Sequence, residues 1–91
     1  MVNKIRCSHI LLKKQSEAIT ILEQIKKGEK FGKLARSKSL CSSKKKDGNL
    51  GYITRGKTVK EFENIAFILE VGQISEPVRT QHGYHIIKRL E

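Results

Sequence analysis

The stretch from Lys4 to Leu12 constrains the fold more than any other part of the chain. Its residues alternate at period two. Ile5, Cys7, His9 and Leu11 fall on one face, and Arg6, Ser8, Ile10 and Leu12 on the other. Near its end both faces are apolar, so the sequence predicts a central strand covered on both sides. A strand of that kind needs helices, and the residues that follow supply them. Ser16 reads as an N-cap, Ala18, Ile21, Leu22 and Ile25 recur at helical spacing, and Lys26-Lys27 suits the last turn before Gly28 ends it. A second short helix turns Phe31, Leu34 and Ala35 inward and fades at Ser39.

From Cys41 to Gly51 the sequence reads as a loop, with Leu50 to Thr54 as a short strand. Thr58-Val59-Lys60-Glu61 matches a capping box, and Val59, Phe62, Ile65, Ala66 and Leu69 then point inward. Gly72 marks an exit turn. Pro77 confines residues 76–79 to a sheet edge or a strand end, because it cannot donate to a ladder. Gly83 turns the chain into a last strand, Tyr84 to Leu90, with His85 and Ile87 on one face and Tyr84, Ile86, Lys88 and Leu90 on the other. The predicted order is strand, helix, helix, strand, helix, short strand, strand, giving one four-stranded sheet wrapped by helices.

Ninety-one residues, 37% of them hydrophobic, make one domain over 1–91 with one modest core. The start Met1-Val2-Asn3-Lys4 lacks the apolar run of a secretory signal, Val2 excludes a myristoylation signal, and no apolar run is long enough to span a membrane. A cytoplasmic protein with free thiols at Cys7 and Cys41 is expected. The net charge of +10 is spread along the chain and favours anionic partners, with nucleic acid, acidic protein and anionic membrane all open. Solubility alone also accounts for it.

His9 and His85 are inward-facing histidines in one small core. If the first and last strands pair, their rings face each other, and a neutral pair bonds only in matched tautomers. Burial would keep such a pair from carrying two protons. Cys41 opens the loop after the second helix, where an imidazole would activate it. A hydrolytic triad lacks an orienting partner, since Asp47 is the sole aspartate and the asparagines are Asn3, Asn49 and Asn64. No His/Cys spacing fits zinc, Gly48-Asn49-Leu50-Gly51 is no phosphate cradle, and no aromatics interleave the basic residues. No metal and no cofactor is expected. His82 lies in the turn Thr80-Gln81-His82-Gly83 and reads as exposed.

The chain resembles the parvulin family of peptidyl-prolyl isomerases in its minimal form. The matching pieces are Ser8-His9-Ile10-Leu11-Leu12, Phe31-Gly32-Lys33-Leu34-Ala35, Cys41-Ser42-Ser43 with Gly48-Asn49-Leu50-Gly51, Phe62-Glu63 with Ala66-Phe67, the run Val71 to Val78, and Gln81 to Lys88. They run in order over residues 5 to 90. The resemblance implies an α+β fold, a four-stranded antiparallel sheet surrounded by three to four helices, with a substrate cleft on one side. It implies His9 and His85 at the cleft floor and Cys41 at a position that relatives fill with Cys or Asp. It also implies Leu50 and Phe62 as the proline wall and Thr80 in the histidine network.

Thr58 departs from the pattern, standing where many relatives carry Met. Asp47 stands where Gly is common. The resemblance implies catalytic roles for His9, Cys41 and His85, and substrate contacts for Leu50, Thr58, Phe62 and Thr80. Lys13-Lys14-Gln15 is too short to form a phosphate-reading loop, so the implied substrates are unphosphorylated Xaa-Pro polypeptides, with acidic flanks favoured by Lys13 and Lys14. A monomer is expected. Two other classes stay open: a proline-peptide chaperone module without catalysis, and a basic nucleic-acid-binding domain.

Overall fold

The computed structural model describes residues 3–91; the absence of a leader and of an acyl signal, read from Met1 and Val2, lies outside the described residues. The elements are β1 (Lys4–Leu12), α1 (Gln15–Lys26), α2 (Phe31–Lys38), a 3-10 turn (Ser42–Lys46), β2 (Asn49–Thr54), α3 (Lys60–Ala66), β3 (Val78–Thr80) and β4 (Gly83–Arg89). The sheet order is β2-β1-β4-β3, and every neighbouring pair is antiparallel. The first and last long strands therefore lie side by side at the centre, as the two-sided pattern of β1 requires. Three α-helices and the 3-10 turn surround the sheet, in agreement with the expected α+β architecture.

Alternation along β1 and β4 divides the interior into two cores. On one face Ile10, Leu12 and Ile86 pack against Ala18, Ile21 and Leu22 of α1 and Phe31, Leu34 and Ala35 of α2. On the other Ile5, Cys7, Ile53 and Ile87 pack against Phe62 and Ala66 of α3 and the following Phe67 and Leu69. β3 is a three-residue edge strand just after Pro77, which places the proline at the strand start where its missing N–H is harmless.

The helix ends differ from expectation in instructive ways. Ser16 is inside α1; the N-cap is Lys14, whose backbone N–H donates to the Glu17 carboxylate at 3.0 Å. That acid–amide bond satisfies one of the donors left open at the start of the helix. Gly28 leaves α1 at φ 106°, a conformation that suits glycine. The Thr58 capping box is absent: α3 begins at Lys60, its N-cap is Val59, and no side chain caps it. Glu63, not Glu61, reaches back, accepting from the N–H of Gly56. Residues 42–46 form the 3-10 turn instead of open loop, closed by Asp47 at φ 59° and Gly48 at φ 85°. α3 stops at Ala66, so Leu69 is buried from a non-helical position.

Candidate active site

The site is built on the central strand pair. Leu11 lies opposite His85 and His9 opposite Ile87, so the two histidines are diagonal neighbours on one face. Their rings are stacked, with centroids 5.1 Å apart and planes 18° from parallel, and Nδ1 of His9 lies 2.9 Å from Nδ1 of His85. Phe62, supplied by α3, stands edge-on to both rings at 5.6 and 5.3 Å. The alternation along each strand puts the histidines on one face; the pairing of β1 with β4 and the docking of α3 bring the three rings into contact.

The hydrogen bonds select a proton arrangement. Thr80 Oγ1 lies 2.7 Å from His85 Nε2 and accepts from the backbone N–H of His82 at 3.1 Å. When the Thr80 hydroxyl donates to His85 Nε2, His85 carries its proton on Nδ1 and donates to His9 Nδ1. His9 is then protonated on Nε2. The opposite assignment leaves the Thr80 proton without an acceptor, so the first is favoured. It leaves His9 Nε2 as the one ring nitrogen of the pair without a partner.

Both rings are neutral near pH 7. Burial pushes His9 down to about 4, helped by repulsion from His85. Burial likewise pushes His85 down to about 4, helped by His82. Burial acts the other way on a thiol and pushes Cys7, fully buried on β1, up to about 11. Cys7 is therefore an unreactive core residue.

Cys41 sits at the edge of the same face. Ser39, buried though polar, ties it there: its hydroxyl oxygen accepts from the N–H of Leu11 at 3.0 Å and from the N–H of Cys41 at 3.3 Å. Behind the loop, Gly48 accepts from the N–H of His9 at 2.9 Å through its carbonyl. A Cβ at Gly48 would lie 2.5 Å from the His9 carbonyl oxygen, so only glycine allows this approach. Arg36 pairs with Asp47 at 2.8 Å and holds the loop from outside.

These elements form a cavity of about 250 Å³ lined by His9, Cys41, His85, Leu50, Phe62 and Thr58, together with Val59, Lys57 and His82. Six of the seven expected site residues thus meet at one cavity. Thr80 does not line it; Thr80 is buried and holds His85 from behind, because it ends the edge strand where the hairpin turns. Lys57, Val59, His82 and Ser39 were not singled out as site residues. Lys57 and His82 come from a loop and a turn, where no spacing marks them, while Ser39 and Val59 are helix caps, Val59 having been read only as a core residue. A second cavity of about 530 Å³ adjoins the first through His82 and is lined by Lys13, Lys14 and Arg79 among others.

The family model for the rotamase, PPIC-type PPIASE domain matches residues 9–91. The foldase protein PrsA of Exiguobacterium sibiricum is 52% identical over 87 residues, covering 93% of this chain and 29% of that protein. The crystal structure of PrsA from Bacillus subtilis superposes with a TM-score of 0.95 at 46% identity, covering 98% of this chain and 35% of that one. The solution structure of NmPin, the parvulin of Nitrosopumilus maritimus, gives a TM-score of 0.89 at 60% identity, covering 100% and 99% of the two chains. The chain spans about 30% of the length of the PrsA relatives it matches.

These matches correct the cytoplasmic assignment. PrsA foldases are extracytoplasmic and membrane-anchored. The residues of a domain encode its packing and its site, and an address can lie elsewhere in a longer chain. The reducing compartment inferred for the thiols falls with it.

Proposed function

The chain belongs to the PPIC-type peptidyl-prolyl isomerase family, and from that membership we propose that it accelerates cis/trans exchange of unphosphorylated Xaa-Pro bonds in flexible or unfolded polypeptide, as one domain over residues 1–91. The observation that carries this reading is the neutral His9–His85 pair, packed under Phe62 as the floor of a mainly apolar cavity that also holds Cys41.

Rotation about an amide breaks no bond but crosses a barrier of ~18–20 kcal/mol. A thousandfold acceleration asks for about 4 kcal/mol of that. The gain must come from binding the twisted amide better than either planar form. In the twist the nitrogen lone pair leaves conjugation and the carbonyl oxygen loses negative charge. A dry, apolar site favours that less polar state. Leu50 and Phe62 grip the proline ring, with Val59 beside them. Cys41 faces the rotating amide and tunes the field there without forming a bond to it. His9 and His85, uncharged near neutrality, fix the floor instead of shuttling protons, and Thr80 fixes their tautomers.

The connection from β1 to α1 is only Lys13 and Lys14. This supports independence from phosphorylation. Their position at the second cavity with Arg79 supports a preference for acidic residues flanking the proline. The working form is a monomer.

The test is exchange spectroscopy on a panel of Xaa-Pro peptides with catalytic amounts of folded protein. Faster exchange in unphosphorylated peptides is expected. Unchanged exchange at micromolar enzyme rejects the isomerase. Tight peptide binding with unchanged exchange replaces it with a peptide-holding module, a role that the foldase name of the relatives makes the natural second reading.

A further inference from the structure

Two of the buried polar side-chain atoms without a hydrogen-bond partner belong to cleft residues, His9 Nε2 and Thr58 Oγ1. Thr58 is the stranger of the two. It is partly exposed as a residue, yet its hydroxyl oxygen is buried. What the residue shows to the cleft is therefore its other atoms. No structural role claims the hydroxyl. It does not cap α3, whose N-cap is Val59 with no side-chain bond. It takes no part in the Thr80–His85–His9 chain, where the bonds are made without it.

A buried hydroxyl without a partner destabilises the fold, and a sequence keeps one where it has other work. Threonine can answer without moving the backbone. A turn about χ1 to the next staggered well carries the hydroxyl into the place of the methyl group, while the methyl moves to the place of the β-hydrogen.

We infer that Thr58 is a substrate-binding residue whose hydroxyl turns outward when peptide enters and donates a hydrogen bond to the carbonyl oxygen of the substrate proline. The inference deepens the isomerase reading and rests on it. The neighbours of Thr58 decide the acceptor. Leu50, Val59 and Phe62 take the ring and have no side-chain donor to offer. Every Xaa-Pro segment carries a carbonyl on its proline, whereas side-chain acceptors vary from one client to the next. That carbonyl lies outside the rotating bond, whose own carbonyl belongs to the preceding residue. The contact therefore strengthens ground state and transition state alike and acts on binding rather than on turnover.

The experiment compares the protein with Thr58→Val, which keeps the shape and loses the hydroxyl, and with Thr58→Ser, which keeps the hydroxyl. An unphosphorylated Xaa-Pro tetrapeptide is titrated onto each. Exchange kinetics and thermal melting are measured on the same samples. Thr58→Val is expected to bind about three- to tenfold more weakly, the equivalent of one hydrogen bond. Its kcat should stay within about twofold, and it should melt at or above the parent temperature, since an unpaired hydroxyl has been removed. Thr58→Ser should bind within about twofold of the parent. Parent-like binding by Thr58→Val overturns the inference. So does a lowered melting temperature alongside weaker binding, which marks the hydroxyl as structural, and so does a fall in kcat with KM unchanged. A parent protein that binds peptide without speeding exchange removes the isomerase reading separately and leaves Thr58 to be judged on affinity.

Discussion

The two faces of the sheet share strands but not chemistry. On the α1–α2 face the buried side chains contributed by β1 and β4 are Ile10, Leu12 and Ile86 with the small polar Ser8, closed by aliphatic residues and Phe31. On the α3 face the same strands contribute His9 and His85, with Thr80 behind them and two unpaired polar atoms among the cleft residues. Neighbours in sequence thus do opposite jobs: His9 beside Ile10, His85 beside Ile86. One face supplies apolar burial at ~25 cal/mol per Å² with few polar groups to satisfy. The other gives up part of that gain to hold a rigid polar floor under a cleft. The difference teaches that one face is given to packing alone, whereas the other carries a comparable apolar core, with Ile5, Ile53, Ile87, Phe62 and Phe67 among its members, beside its polar floor.

That contrast is open to direct attack. The largest effect is expected from Ile86→Ala, which empties a fully buried position on the apolar face. A loss of ~2–5 kcal/mol is expected, enough to lower the melting temperature by roughly 10 °C or more. Peptide affinity per folded molecule should be unchanged. Weaker affinity at temperatures where the variant is fully folded would show that the faces are not separable.

Next come His9→Ala and His85→Ala. Each leaves a cavity and an unpaired ring nitrogen or hydroxyl, a cost of about 1–4 kcal/mol. Stability should fall first and exchange second, with Asn or Gln at either position retaining more of both. The double variant should be less damaging than the sum of the singles, because the two rings belong to one network. Unaltered melting with exchange at background in either single variant would make that histidine an acid or base.

Acid should act on the same face without mutation. Both histidines have folded-state values lowered to about 4 from an ordinary 6.5, so the unfolded chain binds more protons in between. Stability from the neutral pair is complete above about pH 6.5 and is lost as pH falls toward 4. Denaturant melts across that range should show the decline, and His9→Asn should flatten it. Exchange rates in the folded protein should stay level from pH 6.5 to 8; a step there assigned to His9 or His85 would contradict a neutral floor.

The smallest change in stability is expected at Cys41, which is partly buried at the cleft edge. Cys41→Asp should keep much of the exchange activity and Cys41→Ala should lose part of it, with melting nearly constant. An inactive Asp variant with intact peptide binding, together with a trapped adduct on Cys41, would establish covalent chemistry instead.

Much of this division was legible before any coordinates. Period-two alternation sorted β1 and β4 into the correct faces, because a strand has only two. The helical stripe through Ala18, Ile21 and Leu22 was equally plain. The caps were not. Ser16 and Thr58 have the right side chains, but a cap depends on the angle at which the chain enters, and Lys14 and Val59 hold those positions. The 3-10 turn at 42–46 has no buried residue, so no periodicity could announce it. In the site, the histidines, Cys41, Leu50 and Phe62 came from strand pattern and family resemblance. Lys57 and His82 could not, since loop residues reach the cleft only after distant elements have docked. Thr80 was placed both in the histidine network and among the substrate contacts, and the hairpin geometry puts its hydroxyl 2.7 Å from His85 Nε2, behind the cleft.

The order β2-β1-β4-β3 has one more consequence, for synthesis. β1 emerges first and its central partner β4 emerges last, so nearly the whole chain must exist before the middle of the sheet can close. The His9–His85 contact spans 76 positions. Pairing of this separation is slow to nucleate, since loop closure must come before any reward from contact. Until Gly83–Arg89 arrives, β1 presents one bare edge and the α1–α2 face lacks Ile86. A chain that stops short of Gly83 therefore lacks His85, and with it half of the cleft floor.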